Sequence, residues 1–322
     1  MTYYLKYRPQ TISDLDIISV REVISNIAKS GNISHSFLFS GPKGTGKTSA
    51  ARILAKVINC EQLRKDGEPC NKCYSCKSVA NGTNIDVIEM DAASNRGIDD
   101  IRVLRDIVKL SPAKSRAKVY IIDEAHMLTT EASNALLKTL EEPPSHVYFI
   151  LATTNPEKII STIKSRTVLV NFTKATAEET KRSLKRIVKL EKIKIENEDI
   201  DKIIKIAKGS FRDAVKLLEQ FSKDKKILDN QDVFNADIFV EIILSKEIEK
   251  VITDLNKAIE AGVDINDITT EILQTLQRKL VEEKSDEIIQ LIELLLDAQS
   301  YNKVTPIEEL PLEIALIKWC KI

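Results

Sequence analysis

The 322-residue sequence lacks the features that mark membrane and secreted proteins. It contains no apolar run of 18 residues, and its first residues, Met1 to Pro9, are polar and basic where a signal peptide is apolar. Internal repeats and low-complexity tracts are missing as well. We therefore expect a globular, cytoplasmic protein with no membrane among its partners.

Aromatic residues are scarce, at 5%, and the chain has no net charge. A hydrophobic share of 43% and a charged share of 30% are typical of a globular chain, and the length suffices for two or three domains. The neutral total conceals an asymmetry, because residues 238–322 hold 17 acidic and 9 basic residues while residues 1–237 hold 31 acidic and 39 basic ones. A polyanionic partner should therefore meet the first part of the chain, unless its lysines only cover solvated helix faces.

A glycine-rich loop is the most specific local pattern in the chain. Residues 41–48 fit G-x-x-x-x-G-K-[ST] and lie between an apolar run at 37–39 and a helical pattern at 49–59. In that setting backbone N–H groups bind phosphate, Lys47 reaches the β- and γ-phosphates and Thr48 binds Mg²⁺. The predicted nucleotide-binding residues are Gly41, Pro42, Lys43, Gly44, Thr45, Gly46, Lys47, Thr48 and Ser49. The alternative is an ordinary glycine-rich turn before a helix.

Short apolar runs and helical patterns alternate in the first half of the chain. The predicted strands are residues 37–40, 86–90, 119–122, 148–153 and 168–172. Because helical patterns separate them, we predict an α/β fold with a parallel sheet covered by helices on both faces.

After residue 172 only helical patterns follow. They cover residues 178–190, 199–207, 211–221, 242–261, 268–282 and 287–300, with a last helix that ends at Trp319. We predict an α/β domain at 1–172, a small helical domain at 173–232, and an all-helical domain at 238–322 after a polar linker region that includes residues 222–226 and 229–232. Residues 288–296 are apolar on nearly all sides, which predicts burial in a bundle or an oligomer interface.

Two carboxylates end the third predicted strand. Asp123 and Glu124 follow the apolar run 119–122, and the carboxyl end of a parallel strand lies beside a phosphate loop. Asp123 is then placed to support Mg²⁺ and Glu124 to activate the attacking water, although two acids here could also be helix-capping residues. The next strand ends in the polar stretch Leu151-Ala-Thr-Thr-Asn-Pro156, which could sense the γ-phosphate or form an ordinary polar turn.

Four cysteines cluster between the phosphate-loop helix and the second strand. Cys60, Cys70, Cys73 and Cys76 have the spacing C-x₉-C-x₂-C-x₂-C. Four thiolates in a reducing compartment predict a closed, structural Zn²⁺ site. An iron–sulfur cluster is the competing interpretation and a set of disulfides a weaker one. Cys320 lies far along the chain beside Trp319 and is expected in the core.

Two arginines could face an anion. Arg166 follows the polar end of the fourth strand by one short helix, where a surface ion pair is the ordinary role. Arg212 lies in the first turn of a helix, against the dipole, which indicates an anionic partner.

Longer stretches of the chain resemble the AAA+ ATPases of the clamp-loader type. They are Leu5-Lys-Tyr-Arg-Pro9, the loop Gly41–Thr48, Asp91-Ala-Ala-Ser94, Ile122-Asp-Glu-Ala-His-Met127, Asn134-Ala-Leu-Leu-Lys-Thr-Leu-Glu-Glu-Pro-Pro144, Ala152-Thr-Thr154 and Gly209-Ser-Phe-Arg-Asp-Ala214. The cysteine module after the phosphate-loop helix narrows the resemblance to the gamma/tau subunits of bacterial DNA polymerase III. The resemblance covers essentially the whole chain, and its ending is similar to the short gamma form.

The resemblance implies an architecture and roles for matching residues. The fold would be a AAA+ P-loop ATPase domain with a five-stranded parallel sheet, then a helical lid and an all-α collar. Tyr7, Arg8 and Pro9 match the segment that lines the adenine site, Thr154 matches sensor 1, and Arg212 matches sensor 2 on the lid. Arg166 matches the arginine finger, which acts in trans on ATP held by a neighbouring subunit.

The sequence departs from the family at two places. Thr167 stands where the finger motif usually has cysteine, which leaves the arginine itself unchanged. Residues Asp16 to Ser19 stand where a Gly-Gln pair usually follows the adenine-lining segment. The far wall of the adenine site should therefore differ from that of the family.

The implied function is that of an ATP-driven motor subunit of the DNA polymerase III clamp loader. Its partners would be delta, delta-prime and further gamma copies in a pentamer, together with the sliding clamp and primer–template DNA. Arg96, Arg102 and Arg105 could track the DNA backbone or simply be solvated. The alternatives are a non-hydrolysing, delta-prime-like stator and a branch-migration helicase of the same superfamily.

Overall fold

The structure is a computed structural model that describes residues 2–94, 97–225, 234–301 and 305–321. The chain forms two compact units, residues 1–223 and 224–322. The first unit holds both the predicted α/β domain and the small helical domain after it, so the division into three domains stays a prediction. Of the predicted linker residues, Ser222 and Lys223 are helical instead, and residues 226 and 229–232 lie outside the described part.

A five-stranded parallel sheet forms the centre of the first unit. Its strands are β1 (Ser36–Ser40), β2 (Val87–Asp91), β3 (Lys118–Asp123), β4 (Val147–Thr153) and β5 (Val168–Asn171). They lie in the order β2-β3-β4-β1-β5, and every pair is parallel. The five predicted strands and their parallel arrangement are confirmed.

Helices cover both faces of this sheet. The helices of the first unit are α1 (Tyr3–Lys6), α2 (Ile18–Ser30), α3 (Lys47–Asn59), α4 (Tyr74–Asn81), α5 (Ile98–Val108), α6 (Thr130–Glu141), α7 (Ser161–Lys164), α8 (Ala177–Glu191), α9 (Asn197–Ala207) and α10 (Phe211–Lys223). Phe37 and Phe39 of β1 pack in one hydrophobic core with α2 and α3, whereas Leu38 packs in a second core with α5 and α6. Successive strand residues point to opposite faces, and both faces are buried, which explains why these strands are continuous apolar runs.

The start of α8 ties the small helical group to the rest of the unit. Thr176 and Glu179 form a reciprocal capping box, which satisfies backbone N–H groups at the helix start. The Glu179 carboxylate also accepts a hydrogen bond of 3.0 Å from the backbone N–H of Ile18, at the first residue of α2. Burial opposes ionisation of Glu179, but these N–H donors prevail and hold its pKa below the ordinary value.

The second unit is helical throughout its described residues. Its helices are α11 (Ala236–Leu244), α12 (Ile248–Glu260), α13 (Ile265–Glu283), α14 (Asp286–Tyr301) and α15 (Leu310–Lys321). Together they bury one hydrophobic core that contains Leu255, Leu276, Leu295 and Trp319. Cys320 packs partly buried against this core, close to the expected position.

The prediction of a single helix at 242–261 is wrong, because α11 ends at Leu244 and α12 begins at Ile248. Lys246, between them, has a left-handed backbone with φ of 58°. The indole Nε1–H of Trp319 donates to the carbonyl of Ile243 at 3.0 Å, and the Lys246 ammonium lies 5.0 Å from the Trp319 ring centre. The end of α11 thus coincides with contacts to Trp319, a residue far away in the sequence. Local periodicity could not reveal such contacts.

Helix α14 buries only one of its apolar faces. Ile288, Leu291 and Leu295 are buried, whereas Ile289 is 40% and Leu296 51% exposed. The expected burial on all sides therefore does not occur within this chain, and the predicted oligomer interface stays a prediction. Across the described residues, none of the helices combines the length and the apolarity that crossing a bilayer requires.

Trp319, the only tryptophan of the chain, should dominate the stability of the second unit. Its side chain is 1% exposed, so we expect Trp319→Ala to lower the free energy of unfolding of this unit by about 3–5 kcal/mol. Urea unfolding of the whole chain followed by far-ultraviolet circular dichroism measures the change. The matched control is Tyr301→Ala, because Tyr301 is 64% exposed and its loss should cost about 0.5 kcal/mol or less. Equal effects of the two substitutions would contradict this account of the core.

Candidate functional site

A cavity of about 470 Å³ opens at the carboxyl ends of β1 and β3. The phosphate loop and Asp123 line one side of it, and the N-terminal segment and helices α8 and α10 line the other. Most of the residues predicted for the nucleotide site line this cavity: Tyr7, Arg8, Pro9, Lys43, Gly44, Thr45, Gly46, Lys47, Thr48, Ser49, Asp123, Glu124 and Arg212. Gly41 and Pro42 lie at the base of the same loop and accept hydrogen bonds from Lys47.

The phosphate loop needs glycine for steric reasons at two positions. Gly41 has φ of 149°, and a Cβ there would lie 2.0 Å from the carbonyl oxygen of Phe172. A Cβ on Gly44, whose φ is 79°, would lie 2.0 Å from the Oγ of Ser210. The loop therefore packs closely against the end of the sheet and against the start of α10.

Lys47 lies inside the curve of the loop. Its Nζ donates to the carbonyl oxygens of Gly41 at 2.7 Å and of Pro42 at 2.8 Å. Burial lowers the pKa of Lys47, while the charges of Glu124 and Asp123 act in the opposite direction. The ammonium group is thus placed where the loop, the helix N-terminus of α3 and the two carboxylates converge.

Thr48 and Asp123 meet across the cavity floor. The Thr48 hydroxyl donates to Oδ2 of Asp123 at 2.7 Å, although the two residues are 75 positions apart. A hydroxyl beside a carboxylate is an all-oxygen donor set, which is the chemistry that Mg²⁺ prefers. These two residues would therefore suit Mg²⁺, which would neutralise charge on phosphate oxygens.

The Glu124 carboxylate is held by two neighbours, Thr154 and His126, which follow the ends of β4 and β3. The backbone of Glu124 is left-handed, with φ of 48°, directly after β3. The Thr154 hydroxyl donates to Oε2 of Glu124 at 3.0 Å, and Nδ1 of His126 lies 3.4 Å from the same oxygen. Nδ1 of His126 is also 3.1 Å from the hydroxyl of buried Thr153. The sequence indicated Thr154, whereas the part played by His126 in this network became visible only in the fold.

The N-terminal segment is fixed by contacts with α8 and α10. The Tyr7 hydroxyl hydrogen-bonds the carboxylate of Glu191, and the backbone N–H of Tyr3 donates to Glu219 at 2.8 Å. Burial lowers the pKa of the Arg8 guanidinium, which lies on the cavity wall. This wall is therefore formed jointly by the chain's first residues and by helices some 180 residues later.

Asp16 occupies the wall where the sequence departs from the family pattern. Its side chain is buried, and Arg186 of α8 donates to Oδ2 at 2.9 Å while Arg182 bonds to the backbone carbonyl. Asp16, Ile17, Ser183 and Arg186 all line the cavity. The departure thus places an ion pair of the buried Asp16 with the half-buried Arg186 between the cavity wall and α8, and sequence reasoning had found neither arginine.

Helix α10 approaches the phosphate loop end-on. The backbone N–H of Phe211 donates to the carbonyl of Gly44 at 3.1 Å, and Arg212 lines the cavity from the first turn of the helix. Arg212 thus faces the cavity, and the anionic partner expected for it stays a prediction.

Arg166 is not brought into the cavity of its own chain. It follows α7 and forms an ion pair with Glu141 of α6 at 2.5 Å, and it also donates to the carbonyl of Thr162 at 2.8 Å. Its side chain is 34% exposed. Of the arginines considered for DNA, Arg105 is exposed on α5, whereas Arg96 and the side chain of Arg102 lie outside the described residues.

The four clustered cysteines converge on one point. The Sγ atoms of Cys60, Cys70, Cys73 and Cys76 all lie within 4.8 Å of one another. Tetrahedral zinc with bonds of about 2.3 Å places sulfurs about 3.8 Å apart, so the set fits a single ion. An iron–sulfur cluster binds its cysteines on different irons, which suits a wider spacing. All five cysteines have free thiols, so the disulfide alternative is wrong here.

Backbone N–H groups surround these sulfurs. Cys70 accepts from the N–H groups of Lys72 and Cys73, at 3.4 and 3.3 Å, and these donors lower its pKa to about 6. Burial instead raises the pKa of Cys60 and of Cys76. N–H donors of this kind stabilise thiolates, the form that binds metal.

Comparison with known proteins places this chain in a family. A protein-family model described as "DNA polymerase III, delta subunit" matches residues 19–176. The DNA polymerase III subunit gamma of Buchnera aphidicola is 34% identical over 97% of this chain and 96% of its own length. The chain belongs to the DNA polymerase III gamma/tau family.

Longer gamma/tau relatives show the same similarity. The DNA polymerase III subunit tau of Bacillus subtilis is 49% identical over 67% of this chain, and the match spans 38% of that protein. The chain thus spans well under half the length of this relative. Among solved structures, a RuvB variant of Thermotoga maritima superposes with a TM-score of 0.51 at 20% identity, over 84% of this chain and 79% of that one. This likeness confirms the predicted AAA+ P-loop fold of the gamma/tau chain.

The cysteine module predicts one zinc ion per chain. We expect metal analysis of the chain purified from metal-supplied cells to give about one zinc, and Cys76→Ser to give almost none and a lower melting temperature, because a closed site loses most of its affinity with one ligand. Cys320→Ser is the control that should retain the metal. A visible iron–sulfur absorbance, or full zinc content in Cys76→Ser, would contradict this assignment.

Proposed function

We propose that this chain is an ATP-driven motor subunit of a DNA polymerase III clamp loader. The observation that carries the proposal is the hydrogen bond from Thr48 to Asp123, with Glu124 beside it at the end of β3. Membership of the gamma/tau family supports the same conclusion, and the AAA+ fold supports an ATPase. Loading of a sliding clamp onto primer–template DNA is the specific activity that we propose.

In this proposal the chain's own residues bind and orient the nucleotide and activate the attacking water. The loop 41–48 and the N-terminus of α3 hold the phosphates, and Lys47 neutralises charge that develops on them. Tyr7, Arg8 and Pro9 line the base side. Glu124 accepts a proton from the attacking water, and Thr154 holds the Glu124 carboxylate in place through its hydroxyl.

Metal ions have two distinct roles in the proposal. Thr48 and Asp123 would hold Mg²⁺, which when bound neutralises charge on the phosphate oxygens. Cys60, Cys70, Cys73 and Cys76 would hold Zn²⁺, which when bound gives a short polar module a fixed fold. All four zinc ligands come from the protein, so this ion takes no part in the reaction.

Arg166 completes the site of a neighbouring subunit. Within its own chain it pairs with Glu141 and is not among the described residues that line the cavity, so its role requires a second copy. Arg212 of the lid instead acts on the nucleotide of its own chain. Hydrolysis would therefore depend on assembly, since the two arginines come from different subunits.

The proposed partners follow from the family. They are delta, delta-prime and further gamma copies in a pentamer held by the collar, residues 238–322, with a sliding clamp and primer–template DNA. The surplus of basic residues in residues 1–237 suits a DNA backbone, and Arg105 is an exposed candidate contact. The cytoplasm, where replication takes place in bacteria, is the proposed location.

A second candidate is a stator that binds nucleotide without turnover. The observation that supports this candidate is the match of residues 19–176 to a family model described as a delta subunit. The retained set of Lys47, Thr48, Asp123 and Glu124 favours the motor, because a stator needs none of the hydrolytic groups. A branch-migration helicase has less support, because the RuvB structure is only 20% identical to this chain and resembles it in fold alone.

Lys47→Ala should abolish the turnover of the assembled complex. Loss of a buried ammonium at the phosphates should lower ATP hydrolysis, stimulated by clamp and primed DNA, by about a hundredfold or more. The control is Lys29→Ala, an exposed lysine on α2 that should leave the rate unchanged. Steady-state phosphate release from the reconstituted complex measures both. Full stimulation in Lys47→Ala would refute the motor, and absence of turnover in the wild-type complex would favour the stator.

A further inference from the structure

Lys56 is a buried lysine that the proposed reaction does not use. It lies on α3, between the phosphate loop and Cys60, and its whole side chain is 2% exposed. Burying an ammonium group is costly unless each of its protons finds an acceptor. The position of those acceptors therefore shows what the residue connects.

The Lys56 ammonium joins two separate parts of the chain. Its Nζ donates to the side-chain oxygen of Gln10 at 2.5 Å and to the backbone oxygen of Gln10 at 3.3 Å. It also donates to Oδ1 of Asn71 at 2.9 Å. Gln10 follows the segment Tyr7–Pro9 of the cavity wall, and Asn71 lies between Cys70 and Cys73 of the cysteine module.

Gln10 passes the contact on to the cavity wall. Its Nε2 donates to the carbonyl of Arg8 at 3.0 Å, and its backbone N–H donates to Asp14 at 3.1 Å. Residues 8–10 have no helix or strand to fix them, so side-chain hydrogen bonds must supply their order. Lys56 thereby fixes the residue that in turn fixes Arg8.

A second contact joins the cysteine module to the same segment. The Glu68 carboxylate accepts from the backbone N–H groups of Ile12 at 2.8 Å and Ser13 at 2.7 Å. Gly67 next to it packs on α2, where an added Cβ would lie 3.0 Å from Ala28. The module therefore contacts the chain that follows residues 7–10 at two points, through Glu68 to Ile12 and Ser13 and through Gly67 to Ala28.

The charge of the metal-loaded cysteine cluster would be opposite to that of the Lys56 ammonium. Four cysteine thiolates around one divalent ion carry a net charge of −2, and the oxygens that contact Lys56 are neutral. Burial lowers the pKa of Lys56, while the nearby Cys76 and Asp14 raise it. A loaded metal centre thus supplies negative charge close to a buried cation.

We propose that Lys56 is a positioning residue that couples the cysteine module to the base-side wall of the nucleotide cavity. A module without its metal loses its fold, so that Lys56 loses its acceptor Asn71 and the backbone N–H groups of Ile12 and Ser13 lose the Glu68 carboxylate. Nucleotide binding must in that case order the wall by itself, so it becomes weaker. Because such coupling is reciprocal, bound nucleotide should in turn retain the metal. The inference rests on the proposed nucleotide site.

The test measures nucleotide affinity in the full-length, zinc-loaded chain. Lys56→Met keeps the unbranched length of the side chain and removes its charge and donors, and we expect a fluorescent ATP analogue to bind about fivefold or more weakly. The matched control is Lys65→Met, an exposed lysine of the same module, which should bind as the wild type does. Equal dissociation constants for the two variants would overturn the inference.

A second readout follows the metal itself. Release of zinc to a chromogenic chelator should be slower with saturating ATP in the wild type, and ATP should slow it clearly less in Lys56→Met. Asn71→Gly tests the same link if Lys56→Met does not fold, because glycine accepts the left-handed backbone, with φ of 55°, at residue 71 and only the amide is lost. ATP-independent release in the wild type, or unchanged ATP dependence in Asn71→Gly, would overturn the inference.

The outcomes also separate this inference from the proposed function. A wild-type chain that binds the ATP analogue, with a Lys56→Met variant that binds it equally, overturns the coupling and leaves the nucleotide site intact. A wild-type chain that binds no nucleotide overturns both.

Discussion

Strand β4 lies between β1 and β3 in the sheet, and the parallel register brings the carboxyl ends of all three strands to one edge. The phosphate loop follows β1, Asp123 ends β3, and Thr153 ends β4. The hydrogen bond from Thr48 to Asp123 depends directly on this strand order, since it joins residues that only the sheet brings together. The cavity, the position of Glu124 and the contact of α10 with the loop all depend on that edge.

The residues around the cavity come from three stretches of chain that are distant in the sequence. The loop and strand ends line one part of the cavity, the N-terminal segment lines another, and α8 and α10 line a third. The ion pair of Asp16 with Arg186 and the hydrogen bond from Ile18 to Glu179 hold α8 against the N-terminal segment. The hydrogen bond from Phe211 to Gly44 holds α10 against the loop. A change in α8 or α10 would therefore alter the cavity wall on both sides.

Much of this arrangement could be predicted from the sequence because its signals are local. Each of three patterns can be recognised within a short stretch of chain: the phosphate loop, the strand-terminal acids and the closely spaced cysteines. The five strands were found as apolar runs because both of their faces are buried. The break at Lys246 could not be found, because the contact with Trp319 that accompanies it is 73 residues away. For the same reason, neither the Asp16 ion pair nor the link from Lys56 to Asn71 could be read from spacing.

The central claim is that each hydrolytic site is shared between two chains, with Lys47 from one and Arg166 from its neighbour. The most direct test assembles Lys47→Ala chains and Arg166→Ala chains together with the remaining clamp-loader subunits and measures DNA-stimulated ATP hydrolysis. Each variant alone should be inactive, whereas the mixture should recover activity, because an intact loop then meets an intact arginine of the adjacent chain. A mixture as inactive as either variant alone, or full activity of Arg166→Ala alone, would contradict a shared site.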